Sequence, residues 1–258
     1  CNALKNISVP ASVTSIGASA FEDCSALTGV TIPKGVTTIK DNAFNGCSAL
    51  TSVTIPDDSK LQTIGNYAFD GCSALASITI PEGVTTIGHH AFRYCESLTG
   101  VTIPKSVTTI EDYAFHGCKS LNTVTFEDGS QLTTIGDKAF WSCKNLTGIT
   151  IPASVESIGK EAFLNCTDLS TVTFADESQL ETIGEFAFED CTSLKTIIFT
   201  GTIAPKLGNN SVFDEALEAI YVPKGATGYT TDNGWPDNIF LNAELKADSA
   251  VRSGEATA

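Results

Sequence analysis

The chain has 258 residues, of which 42% are hydrophobic, and it carries a formal net charge of −15 with 15 lysines and arginines in total. This apolar share is enough for a buried core, but no stretch approaches the roughly 18 apolar residues of a membrane span, so we expect no membrane insertion. A nucleic-acid partner is excluded as well, because binding phosphates requires a basic surface that this acidic chain lacks.

The cysteines form a ladder with a nearly constant spacing: Cys1, Cys24, Cys47, Cys72, Cys95, Cys118, Cys143, Cys166 and Cys191. The steps are 23, 23, 25, 23, 23, 25, 23 and 25 residues, and a fixed period in this range is typical of a solenoid. An odd count excludes complete pairing, and equivalent side chains in stacked turns point in parallel, which suits buried free thiols better than disulfides. CxxC and Cys/His ligand spacings are absent from the sequence, so we expect no metal site and no cofactor.

Each repeat, followed from its cysteine, predicts a strand, a second extended piece and a compact turn. β-Branched residues at a spacing of two, such as Val53 and Ile55, predict a strand that Pro56 ends. A second extended piece follows, as in residues 107–110. The segment around each Ala-Phe pair, such as residues 65–72, is too short for a lasting α-helix, so one or two helical turns are expected there.

One phenylalanine per repeat shares a face with the cysteine three residues later, so both are expected in the core. These residues are Phe21, Phe44, Phe69, Phe92, Phe115, Phe140, Phe163 and Phe188. Three repeats carry two extra residues at one place, within residues 57–61, 127–132 and 175–180. Because the other columns are kept, the insertions predict a turn at the edge of the solenoid.

The repeat resembles the BspA-like leucine-rich repeats of bacterial surface proteins. The resemblance is carried by segments such as LTSVTIP (50–56), VTTIG (84–88) and NAFNGCSAL (42–50), and it covers residues 1–223. It implies a leucine-rich-repeat right-handed solenoid that is rich in β-structure. Parallel strands would line its concave face, with short helical or 3-10 turns on the other side.

The ends of the chain depart from the repeat. Residues 1–223 are assigned to the solenoid, with about ten strand repeats, and residues 224–242, which contain Tyr229, Trp235 and Phe240, to a C-terminal cap. Residues 243–258 have little apolar surface to bury and are predicted to be a disordered tail or linker. Cys1 begins in the middle of a repeat, so we expect the native protein to extend further toward its N-terminus.

Aligning the repeats on the Ala-Phe pair gathers an unusual set of side chains in the central turns. The positions before Ala, after Phe and before Cys hold Tyr67, His90, Arg93, Tyr94, Tyr113, His116 and Trp141. Tyr, Trp and Arg are enriched at binding hot spots, so these seven residues, the aromatic–basic patch, are the candidate site for a host or matrix protein or a glycan. Ordinary variation of surface residues is the competing interpretation. A third is a broad, weak contact along the small hydroxylated residues of the main strands.

No sequence motif of a catalytic nucleophile, a zinc protease or a phosphate loop is present, so we expect no enzyme activity. The resemblance implies a non-catalytic binding module of adhesin type, extracellular or displayed on the cell surface, and we expect a monomer. Two alternatives remain open: a structural spacer or stalk that presents another domain, and an accessory domain of a larger enzyme.

Overall fold

The computed structural model describes residues 1, 3–208, 212–230 and 235. Within these residues there are 19 short β-strands and no helix, and therefore no helix that could span a membrane. Each strand pairs in parallel with its equivalent in at least one neighbouring repeat. The chain is thus a parallel-strand solenoid of about nine turns, which confirms the architecture predicted from the cysteine ladder.

The odd-numbered strands form the main face: β1 (Asn6–Ser8), β3 (Gly29–Thr31), β5 (Ser52–Thr54), β7 (Ser77–Ile78), β9 (Gly100–Ile103), β11 (Thr123–Phe126), β13 (Gly148–Ile151), β15 (Thr171–Phe174), β17 (Thr196–Ile198) and β19 (Ala219–Tyr221). The even-numbered strands form the second face: β2 (Ser15–Ile16), β4 (Thr38–Ile39), β6 (Thr63–Ile64), β8 (Thr86–Ile87), β10 (Thr109–Ile110), β12 (Thr134–Ile135), β14 (Ser157–Ile158), β16 (Thr182–Ile183) and β18 (Lys206–Leu207). The second face is one nine-stranded sheet. The main face is divided into a six-stranded sheet, β1 to β11, and a four-stranded sheet, β13 to β19.

Pairing in register stacks equivalent residues into columns. Val30 pairs with Val53 on the main face, and Ile39 pairs with Ile64 on the second face; all four side chains are buried. Because successive side chains of a strand point to opposite sides, the same pairing places the intervening threonines in solvent-facing columns. The predicted strand and the predicted second extended piece are both confirmed.

The Ala-Phe segments, residues 65–72 and their equivalents, form a third ladder that we call the turn face. The expected helical turns were wrong, because the residue before Ala is left-handed, with φ of 56° at Tyr67, and such a residue interrupts a right-handed helix. Alternate N–H groups then reach the next turn: that of Tyr67 donates to the carbonyl of His89 at 2.7 Å and that of Phe69 to the carbonyl of Ala91 at 2.8 Å. Main-chain hydrogen bonds therefore hold each turn segment to its neighbour, as in a sheet.

Phenylalanine and cysteine columns fill the core beneath the turn face. Phenylalanine rings from Phe21 to Phe213 stack at centroid distances of 5.1 to 6.0 Å. All cysteines are free and all except the exposed Cys1 are buried. Seven Sγ atoms lie 3.0 to 3.3 Å from the carbonyl oxygen of the phenylalanine one turn earlier. The thiols therefore act both as packing atoms and as weak donors.

Trp235 packs against the last turns of the solenoid. Its ring lies 5.4 Å from that of Phe199, 5.7 Å from that of Phe213 and 4.8 Å from that of Tyr229, and its Nε1–H donates to the carbonyl of Pro205 at 3.2 Å. Phe240 and the predicted tail, residues 243–258, lie outside the described residues. The domain boundaries at residues 223 and 242 therefore stay predictions.

Candidate binding surface

The turn face brings all residues of the aromatic–basic patch together. Tyr67, His90 and Tyr113 occupy the same position in three successive turns, and their rings stack at 4.6 and 4.5 Å with interplanar angles of 9°. His116 and Trp141 occupy a neighbouring column and stack at 4.5 Å with an angle of 6°. The two columns touch where the rings of Tyr113 and His116 lie 5.8 Å apart. The patch is therefore one continuous surface across four turns.

The first of these columns lies at a left-handed backbone position in every turn described. The φ values are 56° at Tyr67, 56° at His90 and 58° at Tyr113. Glycine and asparagine tolerate this conformation best, whereas bulky residues there are strained. Asn42 occupies the equivalent position in an earlier turn with φ of 57°, so the fold does not require an aromatic residue. The patch thus places large rings where local preference favours a small polar side chain.

Arg93 is fixed in the patch by an acidic partner that the sequence analysis did not select. Its Nε donates to Oδ1 of Asp70 at 3.0 Å and its Nη2 donates to Oδ2 at 2.6 Å, while the carboxylate side chain is only 7% exposed. The guanidinium also lies 5.7 Å from the ring of Tyr67 and 5.1 Å from that of Tyr94. Asp70 and Arg93 both follow the phenylalanine of their repeats, one turn apart. This shared position is the signal in the sequence that could have identified the pair.

Lys138 belongs to the same surface, although the sequence analysis did not include it. Its Nζ lies 5.2 Å from the ring of Tyr113 and 5.1 Å from that of Trp141, and 3.4 Å from the carboxylate of Glu161. The Lys138 side chain is 23% exposed and that of Glu161 is 17% exposed. Both basic residues, Arg93 and Lys138, are therefore paired with acids inside the protein.

The two patch histidines are neutral near pH 7. Burial, followed by the nearby Arg93, lowers the pKa of His90, and burial, followed by Arg93, lowers the pKa of His116 to about 4. The Nδ1 atoms of both residues are buried without a hydrogen-bond partner. Uncharged imidazoles suit their position between stacked rings, because a buried charge next to Arg93 would be costly.

Tyr94 is the most exposed large side chain of the patch, at 41%. Its ring lies 5.0 Å from that of His116 at an angle of 53° and leans over the backbone of Gly117. A Cβ atom at Gly117 would come within 2.6 Å of the Tyr94 ring. Gly117 is therefore a residue that positions Tyr94, and it occupies the same column as Tyr94 in the next turn.

The patch exposes a mixture of aromatic and polar groups. It presents ring edges, tyrosine hydroxyls and a guanidinium, and the cavities lined by residues within 124–175 and 178–206 lie elsewhere on the protein. No cluster of three or more His, Cys, Asp or Glu suited to a metal ion occurs in the described part of the chain. The patch thus brings together groups that can pack against a partner and form hydrogen bonds with it.

The stacked parallel strands, leucine columns and Ala-Phe turns define a leucine-rich repeat solenoid. The sequence model of the family described as 'BspA type Leucine rich repeat region' matches residues 1–122 and 85–218, with six copies. The chain therefore belongs to the BspA-type leucine-rich repeat family. The predicted resemblance is confirmed over most of the chain.

Solved structures with similar chains include bacterial leucine-rich repeat proteins. One from Bacteroides ovatus is 26% identical, with 92% of this chain and 83% of that chain covered and a TM-score of 0.47. The T. pallidum leucine rich repeat protein is 24% identical, with 85% and 86% covered and a TM-score of 0.48. A leucine rich cell surface protein from Faecalibacterium prausnitzii is 27% identical, with 90% and 86% covered and a TM-score of 0.38. Curated proteins gave no match.

Proposed function

We propose that this chain is a non-catalytic binding module that contacts a protein partner through the aromatic–basic patch. The observation that carries the proposal is the continuous stack of the Tyr67, His90 and Tyr113 rings in a column that an earlier turn fills with Asn42. The fold does not need this stack, because the left-handed position is also kept where other residues occupy it. Tyr, Trp and Arg are also the residues that contribute most to protein interfaces.

The side chains exposed on the aromatic–basic patch favour a protein as the partner over a glycan or a polyanion. Sugars stack on open ring faces, but both faces of His90 are covered by its neighbours Tyr67 and Tyr113. Polyanions need free positive charge, but Arg93 is paired with Asp70 and Lys138 with Glu161. The remaining edges and hydroxyls form a rigid, pre-organised surface, which lowers the entropic cost of binding a folded partner.

The proposed cellular location and the proposed kind of partner extend the family resemblance. We place the module at the cell surface or in the extracellular space, as an adhesin-type domain whose partner is a host or matrix protein. A spacer role would need no continuous stack of aromatic rings on the turn face, so the patch argues against that alternative. An accessory domain of an enzyme would depend on a neighbouring catalytic domain, and the patch would then serve as its substrate-side contact.

The first experiment is a binding screen with the purified chain. It is applied to an array of extracellular-matrix and serum proteins beside an array of glycans, at physiological salt. We expect selective binding to one or a few proteins and no selective binding on the glycan array through the patch. A Tyr67→Asn variant serves as a probe of the patch on each positive spot. A screen in which no protein is bound, or in which Tyr67→Asn binds every spot unchanged, would contradict the proposal.

A further inference from the structure

A second feature of the solenoid is a notch at the edge of the main face. The two-residue insertions make the turns at residues 127–131 and 175–179 longer than the turn at residues 152–154 that lies between them. Two long turns therefore flank one short turn, and the walls are separated by two repeat steps, or about 10 Å. The first insertion, within residues 57–61, is followed by two short turns instead, so it forms no equivalent notch.

The notch contains a preformed cavity of about 600 Å³. Thr125, Thr150 and Thr173 of three successive strands line it, together with the insertion turn at residues 127–130. The Oγ of Ser154 lies 2.9 and 2.8 Å from the carbonyl oxygens of Ser130 and Leu132, which ties the short turn to the wall. The volume is within the range of small-ligand sites, about 300–1,000 Å³.

The cavity lies where the main face is interrupted. Among the described strands, β11 and β13 are the neighbours that no ladder pairing joins. Phe126, at the end of β11, lines the cavity and is only partly buried, whereas its column equivalents Ile103 and Ile151 are fully buried. No ring within the described residues stacks on Phe126, although the equivalent Phe174 and Phe199 stack at 4.5 Å. The interruption therefore leaves an aromatic ring beside the three threonines of the cavity.

From this combination we infer that the notch is a second binding site, for a neutral saccharide of two or three residues. Three threonine hydroxyls at strand spacing both donate and accept hydrogen bonds, which suits a ligand with hydroxyls on neighbouring carbons. Glu127 and Asp128 at the wall accept further hydrogen bonds from such hydroxyls. The partly exposed Phe126 ring gives the apolar face of a sugar a surface to contact. This inference does not depend on the aromatic–basic patch, which lies on the turn face.

The test is saturation-transfer NMR with the whole chain and three separate probes: maltotriose, cellotriose and triacetylchitotriose. We expect at least one of them to receive saturation, and a Thr150→Trp variant, which fills the notch, to lower its affinity at least tenfold. Phe126→Leu keeps the apolar volume but removes the ring, and we expect it to weaken binding as well. Circular dichroism confirms that each variant is folded.

Thr102→Trp is the matched control, because Thr102 is an exposed threonine of the same column that does not line the cavity. It should leave saccharide binding unchanged. The inference is overturned if none of the three saccharides binds, or if Thr150→Trp and Thr102→Trp affect binding equally. Binding of trilysine to the notch in place of a saccharide would also overturn it, since the carboxylates at the wall would then select a cation.

Discussion

The cysteine thiols show how a recurring side chain becomes part of the core. Seven of the eight buried thiols are directed at a phenylalanine carbonyl beneath the turn face, as Cys118 is at that of Phe92 at 3.1 Å. Burial raises the pKa of Cys47 to about 11, so the thiol stays protonated and remains a donor. A protonated, covered thiol is unreactive, because the thiolate is the nucleophile. Cys1 differs because it is exposed.

This difference predicts a labelling pattern. Native protein treated with iodoacetamide should take up one label, at Cys1, and denatured protein should take up nine without reductant, as counted by intact mass. Adding a reductant before denaturation is the control and should not change the second number. Labels beyond Cys1 in the native protein would show that the thiols are accessible, and fewer than nine after denaturation would reveal disulfides.

His116 makes the stability of the patch depend on pH. Burial lowers its pKa from 6.5 to about 4 in the folded chain, so between these values the unfolded state binds more protons than the folded state. The free energy of unfolding therefore falls as the pH decreases from about 6.5 to 4. Above pH 7 the imidazole is neutral in both states and makes no such contribution.

Urea unfolding at pH 7 and at pH 4.5 checks this prediction. The loss of stability between the two values should be smaller in His116→Gln than in the wild-type chain, because the variant lacks the titrating group. Proton NMR of the folded wild type should place the midpoint of the His116 titration near pH 4. A midpoint near 6.5, or an equal loss of stability in both proteins, would contradict the structure of the patch.

The turn face holds the aromatic–basic patch, whereas the strands form the scaffold of the solenoid. The left-handed residues of the turn face release alternate N–H groups to the next turn, and this ladder fixes the spacing at which the patch rings stack. Side-chain orientation in turns also depends on neighbouring glycines: Tyr94 leans over Gly117 because that residue has no Cβ. The position tolerates other residues, since Ser142 occupies it one turn later with φ of 59°.

Gly117→Ala therefore displaces a patch residue without changing it. The added Cβ would lie 2.6 Å from Cδ1 of Tyr94, so the ring must move, and we expect weaker partner binding. The left-handed backbone at this position, with φ of 73°, should lower the unfolding free energy by about 1–2 kcal/mol. Gly71→Ala is the matched control, because a Cβ there meets only backbone atoms of Gly46 at 3.8 Å. Equal affinities of the two variants, measured by biolayer interferometry, would remove Tyr94 from the binding surface.

The sequence predicted the strands well because each column repeats the same physical requirement. Val53 and its equivalents are β-branched in every turn and buried in all but the first, where Ile7 is partly buried. Aligning the repeats therefore separates this recurring requirement from the residues that vary between turns. The turn face was predicted less well, since periodicity does not reveal the left-handed conformation at Tyr67 or its equivalents. The columns indicated which rings lie together, but the pairing of Arg93 with Asp70 and the lean of Tyr94 depend on side-chain conformation, which no repeat pattern encodes.

The whole solenoid behaves as a series of turns in which each contacts only its neighbours. Trp235 packs at one end, and the patch occupies the central turns between Tyr67 and Trp141. Because terminal turns fray first in such arrays, a central position keeps the patch ordered when the ends open. The acidic surface, with a net charge of −15, keeps the elongated molecule soluble while the internally paired cations leave the patch nearly neutral.

The most direct measurement of the central claim is the affinity of a patch variant for the protein partner found in the screen. Tyr113→Asn with Trp141→Asn removes two rings, and Asn42 and Asn45 show that both columns accept asparagine. Leu164→Asn with Phe186→Asn changes the same two columns outside the patch. We predict at least a tenfold loss of affinity, about 1.4 kcal/mol, for the first pair and none for the second. Unchanged affinity of the Tyr113 and Trp141 variant would contradict the account.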